Sequence, residues 1–324
     1  MLLFDAAYAA DEVCSRWGDV ETITFGADMA PIENPVPQVS GLVPGPTPGT
    51  YYGMGDAGTE NELTIFSTDG ETFWTQTVNG ATNTDWEDLS EGACPDAVDA
   101  DRCVFIGDIG DNASSRDHIT IWVVPVTDAQ AVEAVACPLR YEDLHPRDAE
   151  AMFVSTDGVV RIVTKATEAK VFRVPTLTCD GVPQILVKEA ELNLSEPPTG
   201  AAVSPDGSQV ILRSEHHAWL WEGCLIDWSA TPIDVPIAED EPKGEAISLE
   251  ADGTIVTSTE QKEGSTGPPL PFVLHILPCV EMHTAVEACG CACAVDVTTG
   301  SAGRRWGASA IVLAMMMAGV RRRR

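Results

Sequence analysis

Seven of the side chains within residues 85–112 that end in carboxylate or amide oxygens gather in and beside two short motifs. They are Asp85, Glu87, Asp88 and Glu91 in and after D-W-E-D-L-S (85–90), and Asp108, Asp111 and Asn112 in G-D-I-G-D-N (107–112). Oxygen donors at this density suit a hard divalent cation, and Ca²⁺ in particular, which takes carboxylate, carbonyl and amide oxygens in flexible geometry. The same set could support metal-assisted hydrolysis if basic residues stood by to neutralise an anionic substrate. Other constellations are weaker. His216 and His217 are adjacent and would point to opposite faces of a strand. G-D-A-G-T-E (55–60) lacks the strand-and-helix context of a phosphate loop. No G-x-S-x-G elbow occurs, which excludes an α/β serine hydrolase. The eight tryptophans fall mostly at strand positions and read as core, with Trp86, flanking the acidic run, as the exception.

Charge narrows the partners. The chain of 324 residues carries a formal net charge of −31, and six of its 19 basic residues lie in the last 21 positions, leaving 13 basic against 50 acidic in 1–303, or −37. Such a body repels phosphate backbones, which argues against nucleic-acid binding and for cations or cationic partners. A hydrophobic content of 44% with 21% charged residues belongs to a globular chain rather than a disordered one. Ten cysteines, at 14, 94, 103, 137, 179, 224, 279, 289, 291 and 293, show no zinc-like spacing with the histidines. They point to disulfides in an oxidising compartment. Cys94 and Cys103, flanking a short polar loop, form the one pair that spacing suggests; the others stay open.

The elements that must position the acidic residues are strands. Short runs rich in Val, Ile, Thr, Tyr, Phe and Trp alternate with turn signals such as S-T-D-G (67–70 and 155–158), S-P-D-G (204–207) and E-A-D-G (250–253). Five segments share a layout: V-S-G-L-V (39–43), D-W-E-D-L-S (85–90), D-A-E-A-M-F (148–153), T-G-A-A-V-S (199–204) and K-G-E-A-I-S (243–248). Aligned on Gly41, Glu87, Glu150, Gly200 and Glu245, each is followed by a second strand ending at Asp56, Asp108, Lys165, Glu215 or Glu260. The spacing is 15 residues except in the second repeat, where it is 21 and the excess coincides with the Cys94–Cys103 loop. Third strands follow in every repeat and fourth strands in all but the last, which V-E-T-I-T-F (20–25) could complete from the opposite end of the chain. The pattern predicts an all-β propeller of five four-stranded blades; a sixth, degenerate blade would have to come from proline-rich 31–48 and 261–271. In a propeller, residues equivalent by repeat form rings at one channel mouth. The expected metal ligands are therefore Asp56, Glu87, Asp88, Asp108, Asp111, Asn112, Glu150, Glu215, Glu245 and Glu260.

The ends read differently. M-L-L-F with Asp5 is too short for a signal core, yet A-Y-A-A (7–10) looks like a cleavage end, so 1–19 reads as the remnant of an export signal or an N-terminal extension. Residues 20–278 are assigned to the propeller, 279–303 to a Cys-rich linker and 304–324 to a membrane or sorting tail. The apolar run from Trp306 to Val320 spans about 22 Å as a helix, short of a comfortable span, with flanking arginines able to snorkel. This tail resembles the myxobacterial C-terminal sorting tag (MYXO-CTERM type), which implies export, processing near the cysteines and display at the cell surface or outer envelope.

S-G-L (40–42), D-W-E-D-L (85–89), G-D-I-G-D-N (107–112) with Arg116 after it, D-A-E-A (148–151), I-V-T-K (162–165), T-G-A-x-x-S-P-D-G (199–207) and G-E-A-I (244–247) together resemble a family of exported bacterial β-propeller proteins, sometimes labelled phytase-like or esterase-like. The resemblance covers about residues 38–260. It departs at Met54-Gly55, where the family usually has asparagine or histidine. Two functions follow as expectations. One is a surface-displayed, monomeric binding module whose acidic mouth holds cations and meets a protein, a glycan or an anionic small molecule bridged by the cations. The other is a Ca²⁺-dependent hydrolase of phosphate or carboxylic esters, with Glu150, Lys165 and Arg116 as candidate catalytic residues.

Overall fold

The computed structural model describes residues 12–24, 39–68, 73–223, 226–238, 241, 243–259 and 273–284. They lie in one compact unit, Met1–Cys289; a second unit, Gly290–Arg324, falls outside the described residues, as do Glu260 and the cysteines at 224, 289, 291 and 293. Among the described residues there are 23 strands and no helix, so none long and apolar enough to cross a membrane.

In chain order, β1 (Glu12–Trp17) and β2 (Glu21–Thr24) precede a first meander of β3 (Val39–Pro44), β4 (Thr50–Gly55), β5 (Glu62–Ser67) and β6 (Phe73–Asn79). The second meander is β7 (Trp86–Ala93), β8 (Arg102–Asp108), β9 (Ile119–Pro125) and, after the short β10 (Ala131–Glu133), β11 (Val135–Tyr141). The third is β12 (Ala149–Val154), β13 (Val160–Thr164), β14 (Glu168–Val174) and β15 (Gln184–Asn193); the fourth is β16 (Gly200–Val203), β17 (Gln209–Arg213), β18 (Ala218–Glu222) and β19 (Ile233–Val235). The fifth is β20 (Gly244–Leu249), β21 (Ile255–Thr259) and β22 (Val273–Leu277), before the final β23 (Cys279–Thr284). Pairing within each meander is antiparallel, and β2 docks on β22 to give the fifth its fourth strand, as the sequence suggests. The second and third meanders are joined edge to edge by a short parallel pairing of Leu139–Tyr141 with Gln184–Leu186.

The arrangement is propeller-like. The first strands neighbour one another in a closed cycle: β3 beside β7, β7 beside β12, β12 beside β16, β16 beside β20, and β20 beside β3. The hydrophobic core is accordingly divided among the spaces between neighbouring sheets. Tyr52, Met54, Trp86 and Ile106 pack between the first and second, and Phe105, Met152, Ile162 and Phe172 between the second and third. Phe153, Leu212 and Trp219 fill the next space, Ile211, Leu220, Ile247 and Leu277 the fourth, and Leu42, Phe66, Val256 and Leu274 the last. Sheets covered on both faces bury consecutive residues, so β12 and β20 are buried throughout instead of alternating.

Three of the turn signals close first-to-second-strand hairpins. Gly158, Gly207 and Gly253 there hold φ of +78°, +76° and +78°, the left-handed region that glycine enters without steric cost. The Cys94–Cys103 disulfide forms as the spacing suggests. Two more were not legible in the sequence: Cys137–Cys179, and Cys14–Cys279 with a separation of 265. The latter joins β1 to β23 in a two-stranded antiparallel ribbon. The folded body thus extends at both ends beyond residues 20–278. Its ribbon is seated by Trp17 Nε1 donating to Gly253 O (2.8 Å) and Gln209 Nε2 to Cys14 O (3.1 Å).

Candidate functional site: a bulged acidic mouth

One irregularity recurs where the first strands begin. Pairing skips a single residue between Val39 and Gly41, Trp86 and Asp88, Ala149 and Ala151, and Gly244 and Ala246. The skipped residues are Ser40, Glu87, Glu150 and Glu245. In the fourth meander Thr199 holds the same place, directly before Gly200, which pairs with Arg213 as the residues after the bulge pair elsewhere. A β-bulge leaves its extra residue out of the ladder and re-aims its side chain. All five residues are polar, and all are at most 5% exposed.

The register corrects the expected rings. Ser40 and Thr199, not Gly41 and Gly200, stand level with the three glutamates. The two glycines come next, where neighbouring first strands press together: a Cβ on Gly41 would collide with Leu89 N, and one on Gly200 with Glu245 O. Asp108 also shifts. It pairs with Trp86, level with Gly55 and Thr164, so the counterpart of Asp56 in the second meander is Ile109.

Three carboxylates converge at this mouth. Oxygens of Asp56, just after β4, Asp85, just before β7, and Glu87 all lie within 4.8 Å of one another. Two full charges at that distance repel by roughly 3 kcal/mol at an effective dielectric near 20, before exposure screens it. The loop after β8 closes over them. Gly110 N donates to Asp85 O (3.1 Å), and a Cβ at Gly110 would run into Glu87 Oε1 and Asp85 Oδ2, so a larger residue there would displace both carboxylates. Next in the ring, Glu150 Oε1 accepts from Lys165 Nζ, while its Oε2 is buried without a hydrogen-bond partner among the described residues. Glu245 Oε1 lies 3.2 Å from Lys243 Nζ.

Burial and mutual repulsion favour protons on these acids. Asp85 is pushed up to about 6, by burial first and then by Asp56 and Asp148. Glu87 is raised by burial and by the Glu150, Asp56 and Asp85 carboxylates. Burial also raises Glu150, with Glu245 adding to it and Lys165 opposing. Glu245 is raised by burial against the pull of Lys243 and Lys165. At Lys165 burial favours the neutral amine, but Glu150, Glu245 and Glu87 outweigh it, so the ammonium is held more firmly than usual. Buried carboxylates this close together are stabilised by protonation or by a nearby positive charge.

Several expected ligands are engaged elsewhere. Asp88 is fully buried; its Oδ1 accepts from Leu89 N (2.8 Å) and its Oδ2 from Met152 N (2.7 Å) and Ala201 N (3.0 Å). It therefore fastens the first strands of three meanders together across the axis. Its counterparts are Gly41, Ala151, Gly200 and Ala246, whose small size leaves room for one aspartate. Asp108 is tied to Arg116 Nη1 (2.8 Å) and accepts from Asp85 N (3.1 Å) and Trp122 Nε1 (3.3 Å). Arg116, also donating to Gly110 O (2.7 Å), is a brace for the loop rather than a group facing the mouth. Asp111 accepts from Ser115 N and Arg116 N (both 2.8 Å) in the same brace, and Asn112 is exposed. Glu215 is half-exposed beside His216 at 3.9 Å. Trp86 is core, with no exposed surface and its Nε1 donating to Thr82 O (3.0 Å). Asp85 is the cluster member that the ring alignment passed over. Its signal was the leading aspartate of D-W-E-D.

No family model matches the chain, and no curated protein does either. Among solved structures, the chain is similar to the PQQ-bound form of aldose sugar dehydrogenase from Streptomyces coelicolor, with a TM-score of 0.46 and 11% identity, covering 80% of this chain and 98% of that one.

Proposed function

We propose that the chain is an exported, surface-displayed β-propeller of five four-stranded blades, acting as a binding module that holds Ca²⁺ in its acidic mouth. The five meanders with cyclically adjacent first strands support the blade count. Three disulfides support an oxidising location. The observation that carries the function is the convergence of Asp56, Asp85 and Glu87, with the unpartnered Oε2 of buried Glu150 in the same ring. These residues would hold the ion, all through oxygen, as a hard cation requires. Ca²⁺ would supply the positive charge that the set lacks and could bridge to an anionic or hydroxyl-bearing ligand outside.

A second reading, a Ca²⁺-dependent hydrolase of phosphate or carboxylic esters, is favoured by Lys165, a firmly held positive charge beside the cluster. Engagement of Arg116 by Asp108 and Gly110 favours the binding module, because only one of the two expected basic groups is left to meet a substrate. Calorimetric titration of chelator-stripped protein with Ca²⁺ tests the main reading. One saturable site, lost in Glu87→Gln and Asp85→Asn, is the expected result; no binding by the wild type overturns it. Turnover on a panel of phosphate and carboxylic esters, abolished in Lys165→Ala, would establish the hydrolase instead.

A further inference from the structure

On the far side of Asp88 the channel opens into a cavity of 310 Å³, lined from all five first strands and including Pro44, Glu91, Val154, Val203 and Leu249. Each of these stands four residues after its strand's bulge position. The direction of the backbone there follows from period-two alternation. Gly45, Cys94, Ser155, Ser204 and Glu250 donate their N–H groups back within their own hairpins, to Thr50, Asp101, Val159, Gln209 and Thr254. The five lining residues, an odd number of steps away, therefore turn their N–H and C=O groups away from the sheet and into the channel. Met152 and Ala201 fix the same phase, since their N–H groups reach Asp88 across the axis.

Two of the five donors at this level are absent or engaged. Pro44 has no N–H, and that of Val154 goes to Ser90 Oγ at 2.9 Å. The N–H groups of Glu91, Val203 and Leu249 face the cavity together with carbonyls from all five strands. The charge of the place selects against anions: Asp101 and Glu91 line it, and Arg102 is engaged by Glu91 through bonds of 2.8 and 2.6 Å. Interleaved donors and acceptors suit groups that both give and accept, which hydroxyls do. The cavity's volume is that of a small-molecule site.

We propose that this cavity binds a neutral polyhydroxylated ligand, either a free monosaccharide or the terminal sugar of a glycan. It is separate from the cation cluster and owes nothing to it.

Proline at position 44 supplies the test. Because the fold accepts proline there, Val203→Pro deletes one channel-facing donor without removing a sheet hydrogen bond. The full chain, isotope-labelled and kept in chelator, is titrated with glucose, galactose, mannose and N-acetylglucosamine, and with oligosaccharides ending in each. Saturable shifts of the Glu91, Val203 and Leu249 amide resonances are expected for at least one probe. Val203→Pro then weakens binding about fivefold, the worth of one neutral hydrogen bond, while Val203→Ala, which keeps the N–H, stays within twofold. Glu91→Pro serves as the second donor deletion should Val203→Pro fold poorly. Binding of an oligosaccharide without its free terminal sugar also supports the site and assigns a glycan source. The proposal is overturned by no saturable shift at tens of millimolar sugar, by shifts confined to Asp85–Glu87, or by proline variants that bind like the wild type. Chelator keeps the outcome distinct from that of the cation experiment.

Discussion

The two ends of the channel are built from the same five strands, yet they present different chemistry. At one end a bulge in four of the five strands turns a side chain inward, and the lining is Glu87, Glu150 and Glu245 with Ser40 and, level with them in the fifth, Thr199. At the other end the strands run regularly, and backbone groups line the channel together with Asp101 and the Glu91–Arg102 pair. Between them Asp88 spans the axis. A propeller-like ring can thus make a charged site by breaking its strand register and a neutral one by keeping it, with a single carboxylate as the partition.

That contrast can be broken most severely at the partition. Asp88→Ala would leave the N–H groups of Met152, Ala201 and Leu89 buried and unmet, at about 3–5 kcal/mol; urea denaturation should show the loss, and an unchanged midpoint would show that the partition is not structural. Next in size is the effect of pH on the charged end. Asp85, Glu87, Glu150 and Glu245 have folded-state pKa values above their ordinary ones, so the native state binds more protons than the unfolded chain once pH exceeds the usual carboxylate range. Stability contributed by these protons is complete below that range and lost as pH rises through the raised values, beginning with Asp85 near 6. Without cation the melting temperature should fall by several degrees between mildly acidic and mildly alkaline buffer, and saturating Ca²⁺ should remove most of the slope. Glu87→Gln is a smaller change. It relieves repulsion with Asp85, Asp56 and Glu150, raises the stability of cation-free protein by roughly 1 kcal/mol, and abolishes any rise in melting temperature on adding Ca²⁺. Val203→Pro at the neutral end should change stability least, by under about 1 kcal/mol, and should leave Ca²⁺ binding untouched.

The sequence carried the strand plan well, because turns with S-T-D-G and S-P-D-G and runs of β-branched residues have local physical causes. It also carried the completion of the fifth sheet by residues near the N-terminus, since an exposed edge there would have been left open. It did not carry the exact ring membership. V-S-G-L-V-P is buried at Val39 through Val43, so no inside–outside alternation marks the register, and a one-residue slip passes unnoticed. Glu87 and Asp88 show the cost of that slip. Adjacent carboxylates in one motif read as equal ligands, but one is turned into the mouth by the bulge and the other spends both oxygens on backbone N–H groups. Of the disulfides, Cys94–Cys103 was legible because it closes a local loop; Cys14–Cys279 and Cys137–Cys179 depend on tertiary proximity, which spacing does not encode.

The ribbon of β1 with β23 sets the order of events in folding. Strand β2 has no partner until β22 exists, and β1 none until β23, so the first and last described segments meet only after nearly the whole body has been synthesised. Contacts of such long sequence separation form late and slowly. Closure of the ring is therefore a late event in folding, waiting on β22 and β23.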